Sequence, residues 1–85
     1  MNRVYLDNNA TTKVDERVFE SMVPYLKDEY ANPSSMYDFA KKSSRAIKEA
    51  RASIRDFVGA KDEKEIIFTS CGTESANTAI RGALA

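Results

Sequence analysis

The sequence predicts an α/β fold in which these 85 residues supply mostly α-helix and one strand of the central sheet. Residues 66–69 form a short apolar and β-branched run that is typical of a buried strand. Amphipathic stretches at helical spacing lie on both sides of it, and helices flanking a strand indicate a parallel sheet. Because one strand cannot satisfy its own backbone groups, we expect the neighbouring strands outside this sequence.

The first region, residues 1–15, is predicted to be an arm followed by a polar loop. Residues 7–12 are rich in Asp, Asn and Thr, which favour turns because their side chains bond to nearby backbone groups. Asp15 is a predicted N-cap, and the apolar spacing after it predicts a helix over residues 16–28. We expect Pro24 to kink or split that helix.

The helical region as a whole spans residues 16–58 and includes a second polar loop at residues 30–35. Ser35 is predicted to cap the next helix, with Asp38 completing an approximate capping box. The apolar spacing predicts a long helix over residues 36–58 with a basic outer side, and Gly59 is a natural C-terminal stop.

The last region, residues 65–85, is predicted to contain the sheet strand at residues 65–69 and then a helix. Between them, the turn with Gly72 and Thr73 has the layout of an anion site, since backbone N–H groups at a helix N-terminus carry partial positive charge. We call this turn and helix start, residues 70–74, the phosphate cradle. Simple N-capping by Ser70 or Thr73 is the alternative. The helical pattern still runs at Ala85, so we expect the segment to be part of a longer protein.

The composition excludes several classes of function. Thirteen basic and 13 acidic residues give a net charge of zero, so we expect no nucleic-acid partner. The absence of histidine excludes serine–histidine and cysteine–histidine catalysis within these residues and argues against a metal site built from them. The sequence has no apolar run long enough for a membrane segment or a signal peptide, so we expect neither. A single cysteine fits a reducing compartment such as the cytoplasm.

Three segments, taken in order, carry a family resemblance: residues 5–12 (YLDNNATT), residues 32–35 (NPSS) and residues 68–77 (FTSCGTESAN). In this order and spacing they resemble the N-terminal part of cysteine desulfurases of the NifS/IscS type. Those are fold-type I pyridoxal-phosphate enzymes of the class V aminotransferase group. The resemblance covers essentially all 85 residues.

The resemblance implies roles for particular positions. Gly72 and Thr73 match the pair that binds the cofactor phosphate, in agreement with the argument from the helix N-terminus. The two loops match segments near the active site, so the following residues are expected to be close to it: Asn8, Asn9, Ala10, Thr11 and Asn32. The resemblance further implies L-cysteine as substrate, a sulfur-acceptor or scaffold protein as partner, and a homodimer.

No catalytic residue is expected in this segment. The family's Schiff-base lysine, ring-stacking histidine, pyridine-pairing aspartate and nucleophilic cysteine all lie at later positions. Cys71 stands where glycine is commoner, so a structural or incidental role is the default for it, although a thiol near a helix N-terminus can be reactive. Lys61 and Lys64 lie in a charged turn and match no Schiff-base position.

The expected function is therefore that of the N-terminal part of a cysteine desulfurase, which converts L-cysteine to L-alanine and passes persulfide sulfur onward, for iron–sulfur cluster assembly or another acceptor. By itself the segment is expected to be inactive. Two alternatives remain: a related pyridoxal-phosphate enzyme such as a selenocysteine lyase, and a non-enzymatic interaction module that uses the basic face of residues 41–55.

Overall fold

The computed structural model describes residues 2–85, which contain three α-helices and one short 3-10 helix. The α-helices are α1 (Glu16–Lys27), α2 (Asp38–Val58) and α3 (Gly72–Leu84), and the 3-10 helix is Glu63–Glu65. The chain divides into two compact units, the first ending at Arg45 and the second running from Ala46 to Ala85.

The predicted strand at residues 65–69 is wrong: within residues 2–85 the structure has no β-strand. Glu65 closes the 3-10 helix, and Ile66 is extended with φ −101° and ψ 116°. Extended backbone becomes a strand only when a neighbouring chain segment pairs with it, and no described segment does so. Ile67 and Phe68 accordingly remain 69% and 45% exposed.

Helix α1 begins where its capping signal predicts. The Asp15 carboxylate accepts a hydrogen bond of 2.8 Å from the Arg17 N–H, and this contact satisfies one of the unpaired donors of the first turn. Pro24 lies inside α1 without splitting it, so that part of the prediction is wrong. The Pro24 carbonyl accepts from the N–H groups of Asp28 and Glu29 and closes the helix.

Helix α2 begins at Asp38, two residues later than predicted, because Ser35 belongs to the preceding turn. The Ser35 N–H donates to the Asn32 carbonyl at 2.9 Å, so Ser35 does not cap the helix. In the first unit the buried positions are Ala40, which is fully buried, and Ser43, whose hydroxyl donates to the Glu29 carbonyl at 2.9 Å.

The C-terminal end of α2 is a Schellman motif, as the glycine signal predicts. Gly59 has φ +77°, in the left-handed region. The Ala60 N–H donates to the Arg55 carbonyl at 2.9 Å, and the Gly59 N–H donates to the Asp56 carbonyl at 3.4 Å. These two bonds satisfy carbonyls that the helix end would otherwise leave unpaired.

In the second unit, two arginines of α2 hold the segment that leads to α3. Arg55 forms an ion pair with Glu63 at 3.1 Å. One turn earlier, the Arg51 guanidinium lies over the Phe68 ring, 4.9 Å from its centre, in a cation–π contact. The 3-10 helix adds a capping box between Asp62 and Glu65. The approach to the phosphate cradle is therefore tied to α2 at two points.

Candidate functional site

The N-terminus of α3 presents backbone donors that the helix itself does not use. Cys71 is the N-cap residue, extended at φ −167° and ψ 171°. The first helical bond runs from the Ser75 N–H to the Cys71 carbonyl at 3.1 Å. The N–H groups of Gly72, Thr73 and Glu74 precede that bond, and none of them donates to an oxygen acceptor in residues 2–85. Such donors, together with the helix dipole, favour an anion.

The surface beside Gly72 is open. A Cβ atom added to Gly72 would meet nothing within 4 Å among the described residues. The Thr73 side chain is exposed, so its hydroxyl can donate outward. These donors have the chemistry that a tetrahedral anion such as a phosphate group requires.

The simple capping alternative is not what the structure shows. Neither Ser70 nor Thr73 is the N-cap residue of α3. The Ser70 hydroxyl donates instead to the Glu74 carboxylate, which also accepts from the Ser70 N–H at 3.1 Å. These two donors lower the pKa of Glu74, the hydroxyl having the larger effect, and they favour its ionised form.

A second pair of side chains ties the turn to the helix. The Thr69 hydroxyl hydrogen-bonds to the Ser75 hydroxyl and donates to the Cys71 carbonyl at 3.1 Å. Neither set of hydrogen bonds was predicted from the sequence. Ser70 and Glu74, for example, lie four positions apart and not at the three-residue spacing of a capping box.

Cys71 is the second residue of the cradle, and it is exposed. Its sulfur makes no capping hydrogen bond of ordinary geometry. The Glu74 N–H, followed by the Ser70 hydroxyl, nevertheless favours the thiolate and lowers the pKa of Cys71. The residue is thus more acidic than a free cysteine.

The loop that contains Asn8, Asn9 and Ala10 is a closed turn in the first unit. The Ala10 N–H donates to the Asp7 carbonyl at 3.0 Å. The loop is also tied at Thr11, whose hydroxyl hydrogen-bonds to the Tyr5 hydroxyl at 2.7 Å. All of these residues are exposed, so the loop presents its polar groups outward.

Asn32 shapes the other loop of the first unit. Its side-chain oxygen accepts from the Ser34 N–H at 2.9 Å, and its carbonyl accepts from Ser35. An asparagine in this role fixes an Asx turn before a helix. The proximity of Asn32 and of the Asn8–Thr11 residues to Gly72 and Thr73 remains a prediction, because the two units are described separately.

The basic side of α2 is partly neutralised by acidic neighbours. Lys41 pairs with Asp38 at 2.9 Å, and Lys42 pairs with Glu29 at 3.6 Å. In the described part of the chain, no helix is long and apolar enough to cross a membrane. Residues 2–85 also bring together no group of three or more side chains suited to hold a metal ion.

Comparison with known proteins gives a consistent result. The family described as Aminotransferase class-V matches residues 4–85. The chain is 56% identical over 84 residues to a cysteine desulfurase of Trichormus azollae, and that match covers 99% of this chain. It is 49% identical over 81 residues, 95% of its length, to cysteine desulfurase NifS of Azotobacter vinelandii. A cysteine desulfurase of Cereibacter sphaeroides is 47% identical over all 85 residues.

The matched region is a small part of those relatives. The chain spans 21% of the Trichormus azollae protein, 20% of the Azotobacter vinelandii protein and 22% of the Cereibacter sphaeroides protein. No solved structure matches the chain at a significant level.

Proposed function

Because this chain belongs to the class-V aminotransferase family, a family of fold-type I pyridoxal-phosphate enzymes, we propose that it forms the N-terminal part of a cysteine desulfurase. The complete enzyme converts L-cysteine to L-alanine and passes persulfide sulfur to an acceptor or scaffold protein, for iron–sulfur cluster assembly. The observation that carries the proposal is the 56% identity to a cysteine desulfurase along nearly the whole chain.

Residues 70–74 supply part of the cofactor site in this proposal. The N–H groups of Gly72 and Thr73 and the Thr73 hydroxyl bind the phosphate group of pyridoxal phosphate. The N–H groups of Gly72 and Thr73, which meet no oxygen acceptor in residues 2–85, support this assignment. When bound, the cofactor acts as an electron sink for the reaction at the amino acid. The residues of this chain bind and orient it.

The remaining assignments of the proposal rest on the family. Residues 1–15 form an arm and loop, residues 16–58 a helical region, and residues 65–85 the segment that leads to the cradle helix together with that helix. Asn8, Asn9, Ala10, Thr11 and Asn32 lie near the cofactor. The complete protein is a homodimer that works in the cytoplasm, for which the single cysteine of this chain is suitable.

The two alternative functions have less support. A selenocysteine lyase or another relative would use the same cradle, and substrate choice then depends on residues outside this chain. An interaction module on the basic face of residues 41–55 is disfavoured, because Lys41, Lys42 and Arg55 already pair with acidic residues.

The proposal is tested with the complete protein that contains these residues. We expect it to bind pyridoxal phosphate and release alanine from L-cysteine, and we expect the isolated 85-residue chain to release none. Thr73→Ala removes a hydrogen bond to a charged group and should weaken cofactor affinity about tenfold. Thr78→Ala, which lies further along α3, is the matched control and should leave affinity unchanged. Absence of alanine formation by the complete, cofactor-loaded protein would contradict the proposal.

A further inference from the structure

The first turn of α3, where the phosphate is proposed to bind, also carries a carboxylate. Glu74 is the third residue of the helix, and its backbone N–H meets no oxygen acceptor in residues 2–85. A carboxylate at this position ordinarily folds back over the N-cap N–H. A carboxylate that lay directly over the helix N-terminus would compete with a phosphate for the same donors and repel it.

In this chain the Glu74 carboxylate bonds to Ser70 and not to the N-cap N–H. It accepts from both the N–H and the hydroxyl of Ser70, the residue before the N-cap. It makes no hydrogen bond to the N–H groups of Gly72 or Thr73 in the described structure. This double hydrogen bond between Ser70 and Glu74, which we call the tie, leaves the N–H groups of Gly72 and Thr73 available. It also fixes the backbone of the turn that carries them.

We propose that Glu74 is a positioning residue for the cofactor phosphate, acting through its double hydrogen bond to Ser70. This inference rests on the proposed function, since it takes the phosphate of pyridoxal phosphate as the ligand. The tie holds the turn so that the N–H groups of Gly72 and Thr73 face the phosphate, and it keeps the Glu74 carboxylate to the side. Glu74 does not contact the reacting atoms.

The hydrogen bonds and the charge of Glu74 have opposite effects, and this makes the inference testable. Loss of the hydrogen bonds frees the turn and weakens binding. Loss of the negative charge alone removes a repulsion and strengthens binding. Glu74→Gln keeps an acceptor for Ser70 and removes the charge, whereas Glu74→Ala removes both.

The experiment titrates the complete apo protein with pyridoxal phosphate, and separately uses inorganic phosphate as a competitor. Phosphorus NMR of the bound cofactor gives a second readout that does not depend on activity. Glu74→Ala should weaken cofactor and phosphate affinity about tenfold, the effect of losing hydrogen bonds to a charged group. Glu74→Gln should stay within about threefold of the wild type, since it retains the tie. Both variants are compared with Glu16→Ala, which removes a first-turn carboxylate of α1.

Each outcome decides the inference. Both variants lack the charge and only Glu74→Gln keeps an acceptor for Ser70, so equal affinities and equal phosphorus signals in Glu74→Gln and Glu74→Ala would overturn it. Should Glu74→Ala fail to fold, Ser70→Ala decides, with an expected weakening of about threefold from the loss of one of the two bonds. A wild-type protein that binds pyridoxal phosphate while Glu74→Gln and Glu74→Ala bind it equally contradicts only this inference. A wild-type protein that binds none contradicts the proposed function as well.

Discussion

Replacement of Gly59 by alanine tests how the end of α2 is built. Gly59 has φ +77°, and its N–H donates to the Asp56 carbonyl within the Schellman motif. An alanine at that position must either adopt the left-handed conformation or break the motif. No described atom lies within 4 Å of the new Cβ, so steric contact with residues 2–85 contributes nothing. The effect of Gly59→Ala therefore comes from the backbone alone.

The magnitude follows from two opposing terms. A non-glycine residue in the left-handed region is destabilised by about 1–2 kcal/mol. Alanine also reduces the conformational entropy of the unfolded chain, which favours the folded state by about 0.4–1 kcal/mol. We therefore expect Gly59→Ala to lower the free energy of unfolding by about 1 kcal/mol.

Gly82 provides the matched control, since it lies inside α3 and a Cβ there would also meet nothing within 4 Å. Its backbone is helical, so Gly82→Ala should raise the free energy of unfolding by about 0.5–1 kcal/mol. The assay is urea unfolding of the complete protein, followed by circular dichroism. Changes of the same sign in the two variants would refute the reasoning, because the argument depends on the difference in φ between the two glycines.

The further predictions concern the stability contribution of Ser43 and the reactivity of Cys71. Ser43→Ala should lower the free energy of unfolding by about 1 kcal/mol in urea unfolding, because the Glu29 carbonyl loses its partner, while the exposed Ser44→Ala should change it little. Because the pKa of Cys71 is lowered, its thiolate is present at lower pH, and its alkylation by iodoacetamide should begin at lower pH than that of glutathione. Bound inorganic phosphate should slow that alkylation, since a neighbouring negative charge disfavours the thiolate.

One measurement can contradict the prediction for Ser43, and one can contradict the pH dependence predicted for Cys71. Equal stability losses in Ser43→Ala and Ser44→Ala would mean that the bond to Glu29 contributes nothing. An alkylation profile of Cys71 that coincides with that of glutathione would mean that the first-turn donors of α3 do not act on the thiol.

The helix ends could be predicted from the sequence because their signals are local. Asp15 and Gly59 each act on residues within one or two turns, so the start of α1 and the end of α2 follow from a few neighbouring positions. The prediction for Ser35 was wrong for a related reason: the turn closed by Asn32 competes for the same residue, and the sequence does not rank the two.

The strand at residues 65–69 could not be predicted reliably, because pairing depends on segments distant in sequence. The apolar run indicates that these residues suit a sheet, but without a paired neighbour they form no strand, although Ile66 is extended. The capping box of Asp62 and Glu65, by contrast, has the standard three-residue spacing and could have been recognised.

Only the turn at the start of α3 has a local signal in the sequence for the candidate site. The pattern of a polar turn before a helix predicts Gly72 and Thr73 as phosphate ligands, and this stays a prediction, while the structure shows open surface beside Gly72. The tie between Ser70 and Glu74 depends on side-chain conformation, which the sequence pattern does not determine. The approach of Asn32 and the loop at Asn8 to the cradle depends on how distant segments pack.

The most direct test of the account is to supply L-cysteine to the complete protein loaded with pyridoxal phosphate and to measure alanine and protein-bound persulfide together. We expect the two products to form in equal amounts, and to form far more slowly in Thr73→Ala at limiting cofactor. A complete protein that binds the cofactor but forms neither product would contradict the assignment as a cysteine desulfurase. One that does not bind the cofactor would contradict the assignment of Gly72 and Thr73 as its phosphate site.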